Sequence, residues 1–362
     1  MYFKSIYLEN FRNYDKLSLD FDSKLNIITG KNAQGKTNLI ESLFIMGLGK
    51  SFRTSKDNEM ISFEKEFSKA RAIVQDEDEE NEIEIVYSKD GKVIKVNGLK
   101  LQRAADLLEN VYIVVFSPDD LRIVKDGPES RRRFIDRELC QIKPIYYSDL
   151  GNYKKVLKQR NYLLKQRYAD ENLLNVFDES LSEYGMRIIE ERYKFIERIS
   201  EISNKIHKDI SGNSEDLKIE YETSFKRGTT KEEYKEHLKK SLENDILKGY
   251  TCVGPHKDDL YISVNDKDIR AFGSQGQQRT ASLSLKLAEI GLIKQETGKN
   301  AVLLLDDVLS ELDLKRQEYL INSMKDVQIF ITATDIDEKL KSMLPEGKSF
   351  FIDNGKADLY NN

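Results

Sequence analysis

Apolar residues recur at two different spacings along this chain. Near the start, Phe3, Ile6 and Leu8, then Leu17, Leu19 and Phe21, fall at strand-like positions. A short apolar run from Leu25 to Ile28 ends at Thr29-Gly30. From Asn38 to Leu48 the spacing becomes helical, with Leu39, Ile40, Leu43 and Phe44 on one side. Strand patterns return at 72–74, 83–87 and 93–96, and Lys89-Asp90-Gly91-Lys92 predicts that the last two form a hairpin. The acidic run from Asp76 to Glu80 reads as a solvated loop. The continuous apolar run from Val111 to Phe116 predicts a strand buried on both faces.

After Ser117-Pro118 the pattern becomes helical, with few glycines and many long charged side chains. Leu150, Tyr153, Leu157, Leu164 and Tyr168 form one stripe. Leu181, Tyr184, Ile188, Phe195, Ile199, Ile202 and Ile206 form another, at steps of three and four. These predict an inserted all-helical domain over 119–212 containing an antiparallel helical pair, between an N-terminal part (1–118) and a C-terminal part (213–362) of α/β character. In the C-terminal part, 217–221, 260–264, 302–305 and 329–331 read as strands, and 230–248 and 281–293 as helices.

Composition narrows the possibilities. The 362 residues carry 58 Lys plus Arg against 63 Asp plus Glu, a net charge of −5, which argues against a protein that coats nucleic acid by bulk charge. The local balance differs: residues 121–168 carry thirteen basic and five acidic residues, a surplus of +8. Arg122, Lys125, Arg131, Arg132, Arg133, Arg137, Lys154, Lys155, Lys158 and Arg160 lie there, and Arg131, Arg132 and Arg133 are the prime candidates to track DNA phosphates. The two cysteines, Cys140 and Cys252, make neither a zinc site nor a disulfide scaffold. No apolar run is long enough to span a bilayer, and no secretory leader is evident, so a cytoplasmic protein without membrane partners is expected.

The sharpest motif is Gly30-Lys31-Asn32-Ala33-Gln34-Gly35-Lys36-Thr37, which fits G-x-x-x-x-G-K-[ST] and lies between a predicted strand and a predicted helix. Glycines let backbone N–H groups curl around phosphate oxygens, and the helix that follows points its positive end at the same anion. Lys36 suits bridging the β and γ phosphates of ATP, Thr37 suits binding Mg²⁺ through its hydroxyl, and Asn38 opens the helix beside them. A second acidic strand end is needed, and Val302 to Asp307 supplies it: Asp306 for the metal, and Asp307 to orient or deprotonate the attacking water.

More than 260 residues separate the two motifs, and Ser274-Gln275-Gly276-Gln277 opens a helix between them. Ser310-Glu311-Leu312-Asp313 follows the acidic strand directly. This combination resembles the ABC-type ATPase heads of the SMC and RecF group. The resemblance implies that Ser274, Gly276 and Gln277 form a signature motif that contacts the γ phosphate held at Lys36 of a second chain.

Seven stretches resemble one family within that group, RecF. They are Leu8 to Tyr14, Ser51 to Thr54, Phe116 to Leu121, Arg131 to Asp136, Gly254 to Asp259, Gly273 to Arg279 and Leu304 to Asp313. An insertion of roughly ninety residues is too short for an SMC arm. The resemblance implies a DNA repair and replication protein that binds ATP, dimerises around it, and binds double-stranded DNA at single-/double-strand junctions. Its implied partners are RecR and RecO, with RecA loading as the outcome and slow ATP hydrolysis as a resetting switch. Arg53 is comparable to an arginine that couples DNA to ATP in SMC heads. Asp307 stands where a Glu is usual, and Thr334-Asp335 stands at the usual switch-histidine position. His256 is not promoted to that role; its function in the Gly-Pro-His stretch stays open, a structural turn being favoured over a functional one. A nuclease with an ABC head would need a further metal-binding domain after Asp313, and the helical insertion argues against a transporter ATPase.

Overall fold

The computed structural model describes residues 1–77, 79–166, 170–324, 326–336 and 338–360. The chain forms two compact units, Met1–Leu121 with Lys286–Asn362, and Arg122–Leu285.

The first unit holds two six-stranded sheets. One is built from β1 (Tyr2–Phe11), β2 (Tyr14–Asp20), β4 (Phe67–Asp76), β5 (Glu79–Ser88), β6 (Gly91–Val96) and β7 (Leu99–Lys100), in the order β2-β1-β4-β5-β6-β7 and antiparallel throughout. A register shift between Phe3 and Ser5 explains why the apolar spacing starts Phe3, Ile6, Leu8: the bulge lets both Phe3 and Ile6 face the core. The acidic run is not a free loop. Asp76 pairs with Glu79 to close the β4–β5 hairpin, and Asp76 binds Lys299 at 2.6 Å.

The other sheet contains β3 (Leu25–Thr29), β8 (Ile113–Phe116), β12 (Val302–Asp306), β13 (Ile329–Ala333), β14 (Lys348–Asp353) and β15 (Lys356–Tyr360), in the order β15-β14-β3-β13-β12-β8. All neighbours are parallel except β14 and β15. β3, β8, β12 and β13 are near-continuous apolar runs, as strands buried on both faces must be. Helix α1 (Lys36–Leu48) lies in the core that joins the two sheets, with Leu39, Ile40, Leu43, Phe44, Ile45 and Met46 buried, and Gly49 ends it in a left-handed turn at φ 65°. The strand pair β14–β15 escapes the periodicity reading, although Asn354-Gly355 between two apolar stretches is the usual sign of a tight hairpin, and both residues have positive φ.

The elements among the described residues of 119–212 are all helical, chiefly α2 (Pro128–Ile142), α3 (Pro144–Leu164) and α4 (Glu171–Ser211). The expected stripes are their core: Leu150, Tyr153, Leu164, Leu181, Ile188, Phe195 and Ile199 are buried, while Tyr168 lies outside the described residues. The unit does not close at 212, however. It continues to Leu285 through β9 (Leu217–Glu222), α5 (Lys231–Lys248), β10 (Asp259–Val264), β11 (Lys267–Asp268) and the short α6 (Ile269–Phe272). The boundary then falls within α7 (Gln275–Thr297). The sheet β11-β10-β9 belongs here because β9 follows α4 directly and its Leu217 amide donates to Asn204 of that helix at 3.0 Å.

This second unit is held by buried charge as well as by apolar packing. Arg160 is fully buried; its Nε donates to Asp178 at 2.6 Å, and its Nη1 to Asp245 at 2.7 Å and Thr251 Oγ1 at 2.8 Å. Arg192, also buried, donates to Asp136 at 2.8 Å and to the Pro255 carbonyl at 2.6 Å. Removing one member of such a group strands its partners' charge. Arg160→Met should therefore destabilise the second unit by about 3–5 kcal/mol in chemical denaturation; a loss below about 1 kcal/mol would show that the pairing is dispensable.

Candidate functional site

The loop from Gly30 to Gly35 joins β3 to α1 through three left-handed positions, Gly30 (φ 144°), Ala33 (φ 64°) and Gly35 (φ 122°). A side chain at Gly30 would meet the Ile352 carbonyl oxygen at 2.3 Å, and one at Gly35 would meet the Asn13 side chain at 2.7 Å. Glycine is therefore required at both places. No side chain caps α1 at Gly35, so its first-turn amides face the space above the loop. Lys36 is buried, with its ammonium on the carbonyls of Gly30 (2.8 Å) and Lys31 (3.1 Å). The loop is braced from outside: Asn13 donates to the Gln34 carbonyl at 2.8 Å, and Tyr14 to the Gly35 carbonyl at 2.9 Å. Asn354 N donates to Gln34 Oε1 at 2.7 Å, and Gly355 N to the Gln34 carbonyl at 3.2 Å. Asn32 and Lys31 remain exposed on the rim.

Asp306, at the end of β12, meets this loop. Its Oδ1 accepts from Thr37 Oγ1 at 3.0 Å and from Thr332 Oγ1, at the end of β13, at 2.8 Å. Burial raises the Asp306 carboxyl above its usual range, and the two hydroxyls oppose the shift. Asp307 follows in a left-handed conformation (φ 52°), its amide donating to Thr332 at 2.9 Å. A cavity of about 280 Å³ lies beside it, lined by Asp307, Ser310, Gln317, Thr334 and Asp335 among others. Arg53, half-exposed, donates to Asn38 Oδ1 at 2.7 Å and to buried Glu41 at 3.2 Å. Arg12 binds the same Glu41 through two bonds, at 2.9 and 2.8 Å. Sequence reasoning misses Glu41; an acidic residue on the apolar side of a predicted helix is its only signal.

In the second unit, Ser274 caps α7. Gln277 N donates to Ser274 Oγ at 3.2 Å, while Ser274 N donates to Gln277 Oε1 at 2.9 Å, a reciprocal capping box. Gly276 lies within the first turn. The basic cluster divides. Arg131 is buried, held by two bonds to Asp259 at 2.6 and 2.8 Å, so it leaves the set of candidate phosphate contacts. Arg160 leaves for the same reason. Arg132, half-buried, donates to the Asp258 carbonyl at 2.7 Å. Arg133, Lys154, Lys155 and Lys158, together with Arg122 and Lys125, are exposed.

The family model for the RecF/RecN/SMC N-terminal domain matches residues 2–344. The DNA replication and repair protein RecF of Clostridium acetobutylicum is 44% identical over 99% of this chain and all of its own length. That of Agathobacter rectalis is 46% identical over 99% of both chains. The chain belongs to the RecF family. Solved structures of the recombination mediator protein RecF in the RecFOR pathway, as RecF-ATPrS and RecF-ATP, superimpose with TM-scores of 0.92 and 0.91. Each is 40% identical, covering 99% of this chain and 98% of its own. An SMC head bound to the winged-helix domain of ScpA matches at TM-score 0.57 and 17% identity over 99% of this chain and 97% of its own, a likeness of fold alone. The fold is thus that of the ABC-type ATPase heads. Among the described residues, no helix is long and apolar enough to cross a membrane.

In this RecF-family chain the Gly-Pro-His stretch has a structural explanation. His256 Nε2 donates to the Thr251 carbonyl at 2.9 Å, leaving Nδ1 to accept from Tyr153 at 2.8 Å. Gly254 adopts φ 129° beside the Tyr153 and Tyr234 hydroxyls, where a Cβ would fall within 2.3 and 2.7 Å. Burial lowers the His256 pKa from 6.5 to about 4. A histidine held neutral contributes stability that is complete above pH 6.5 and is lost as the pH falls toward 4, because the unfolded state takes the proton first. The unfolding free energy of the wild type minus that of His256→Gln should therefore be constant above about pH 6.5 and decline below it; a flat difference would contradict the assignment.

Proposed function

We propose that this chain is an ATP-gated DNA-binding switch of recombinational repair. The observation that carries the reading is the 3.0 Å bond from Thr37 to Asp306, which joins the phosphate loop to the acidic strand end in a chain similar to RecF-ATP. ATP phosphates lie against the loop from Gly30 to Asn38, with Lys36 moving its ammonium from the loop carbonyls to the β and γ phosphates. A buried carboxylate that accepts from two hydroxyls suits a divalent cation, so Thr37 and Asp306 would hold Mg²⁺. Held there, the ion would supply charge neutralisation at the phosphates. Asp307 orients the attacking water, and its side chain, one methylene shorter than glutamate, suits slow turnover and a role as timer.

Ser274, Gly276 and Gln277 present the start of α7 to the γ phosphate bound by a second copy, so ATP binding drives dimerisation. The dimer binds double-stranded DNA near single-strand gaps, through exposed cations on α2 and α3, and acts with RecR and RecO in loading RecA. Arg53, beside Asn38 in the phosphate-loop helix, links DNA contact to the nucleotide. A cytoplasmic location fits the family's role in DNA repair.

Two experiments test the reading. Lys36→Ala should abolish ATP binding, whereas Ser274→Arg should bind ATP as a monomer yet fail to dimerise in sedimentation velocity; an ATP-dependent dimer of Ser274→Arg would sink the in-trans role. Replacing Arg133, Lys155 and Lys158 together by Gln should reduce the slope of log affinity against log salt by about 2–3, since each neutralised duplex phosphate accounts for about 0.9 of it. An unchanged slope would remove these residues from the interface.

A further inference from the structure

Gln277 does more than complete the capping box. Its Nε2 donates to Glu215 Oε1 at 2.9 Å, and the other oxygen of Glu215 lies 2.9 Å from Nε2 of His207, which is fully buried on α4. Glu215 stands on a turn with little freedom. Gly212 ends α4 in a left-handed conformation (φ 68°), and Asn213 follows at φ 61° with its amide on the Lys208 carbonyl at 2.7 Å. Next to Glu215, Asp216 N donates to Asn265 Oδ1 at 2.8 Å, and Asn204 of α4 donates to Asp216 at 3.0 Å. A carboxylate fixed at both oxygens is thus aimed at the side chain that holds Ser274.

We infer that Glu215 is a positioning residue for the Ser274 loop. It fixes the Gln277 amide so that Oε1 faces Ser274 N while Nε2 faces the carboxylate, and so anchors the backbone of Ser274 at the start of α7. An amide has one acceptor and one donor side, and a carboxylate accepts only. Glu215 therefore enforces the orientation of Gln277 that closes the capping box. The inference rests on the proposed in-trans contact of Ser274, and it predicts a loss in assembly rather than in nucleotide binding by the single chain.

The test is sedimentation velocity of full-length variants across an ATP titration, with monomer ATP binding followed in parallel. Glu215→Ala should weaken ATP-driven dimerisation about tenfold and leave monomer ATP binding unchanged, the scale expected for losing a hydrogen bond to a charged group. Glu215→Gln, which keeps an acceptor oxygen, should retain most of the dimerisation. Gln277→Leu should reproduce the Glu215→Ala loss, and the double variant should lose no more than either single one. Normal dimerisation of Glu215→Ala, or additive losses in the double variant, overturns the inference. If Glu215→Ala does not fold, Gln277→Leu reads the same link from its other end, and normal assembly of that variant overturns it as well. Ser274→Arg separates the two ideas. If it dimerises with ATP, the in-trans reading itself fails; if it does not, while Glu215→Ala assembles normally, only the positioning role fails.

Discussion

Burying one carboxylate organises the loop from Gly30 to Thr37 and the strand ends around it. Asp306 lies at the end of an apolar strand, where desolvation raises the cost of its charge. That cost is met by hydroxyls from two other elements, Thr37 at the start of α1 and Thr332 at the end of β13. The same bonds close the geometry. The phosphate loop is tied to a strand two places away in the sheet, and Thr332, by accepting from Asp307 N, fixes the left-handed turn that directs the second carboxylate. The parallel register brings these three groups to the carboxyl ends of neighbouring strands, where open α/β folds gather their ligands.

The parts that chemistry fixes locally are legible in the sequence. The phosphate loop needs glycine at positions set by backbone approach, and the spacing of Gly30, Gly35, Lys36 and Thr37 records that need directly. Strands buried on both faces announce themselves as apolar runs. Pairing across long separations leaves no such trace. Arg131 looks like its neighbours Arg132 and Arg133 in the sequence, yet Asp259, 128 residues later, buries it. The unit boundary is hidden for a related reason. The helical periodicity stops at 212, but β9 packs back onto α4, and packing rather than element type decides where a unit ends.

The charge distribution gains a different meaning from this. The surplus of +8 over 121–168 counts Arg131 and Arg160, whose charges are neutralised inside the second unit and do not project a field. Among the described residues the exposed remainder is Arg122, Lys125, Arg133, Lys154, Lys155, Lys158 and Lys165, a modest cationic surface on an acidic chain. In the proposed reading such a surface holds duplex weakly in one copy. Pairing two copies places both on the same molecule, where the second contact forms at high effective concentration. In that reading a nucleotide requirement for DNA binding follows from charge together with ATP-driven pairing.

The proposed reading of Ser274 raises one physical question: whether a residue committed to capping its own helix can also touch a phosphate. The hydrogen-bond directions answer it. In the capping box Ser274 Oγ accepts, from Gln277 N, and the backbone N of Ser274 is the donor to Gln277 Oε1. The hydroxyl proton takes no part, and a phosphate oxygen is a pure acceptor, so the two roles use opposite ends of one O–H group. Capping even favours the contact, because it holds the hydroxyl at the positive end of α7 rather than letting it sample three rotamers. The cap seen in the structure and the proposed phosphate contact are therefore compatible in a single orientation of one hydroxyl.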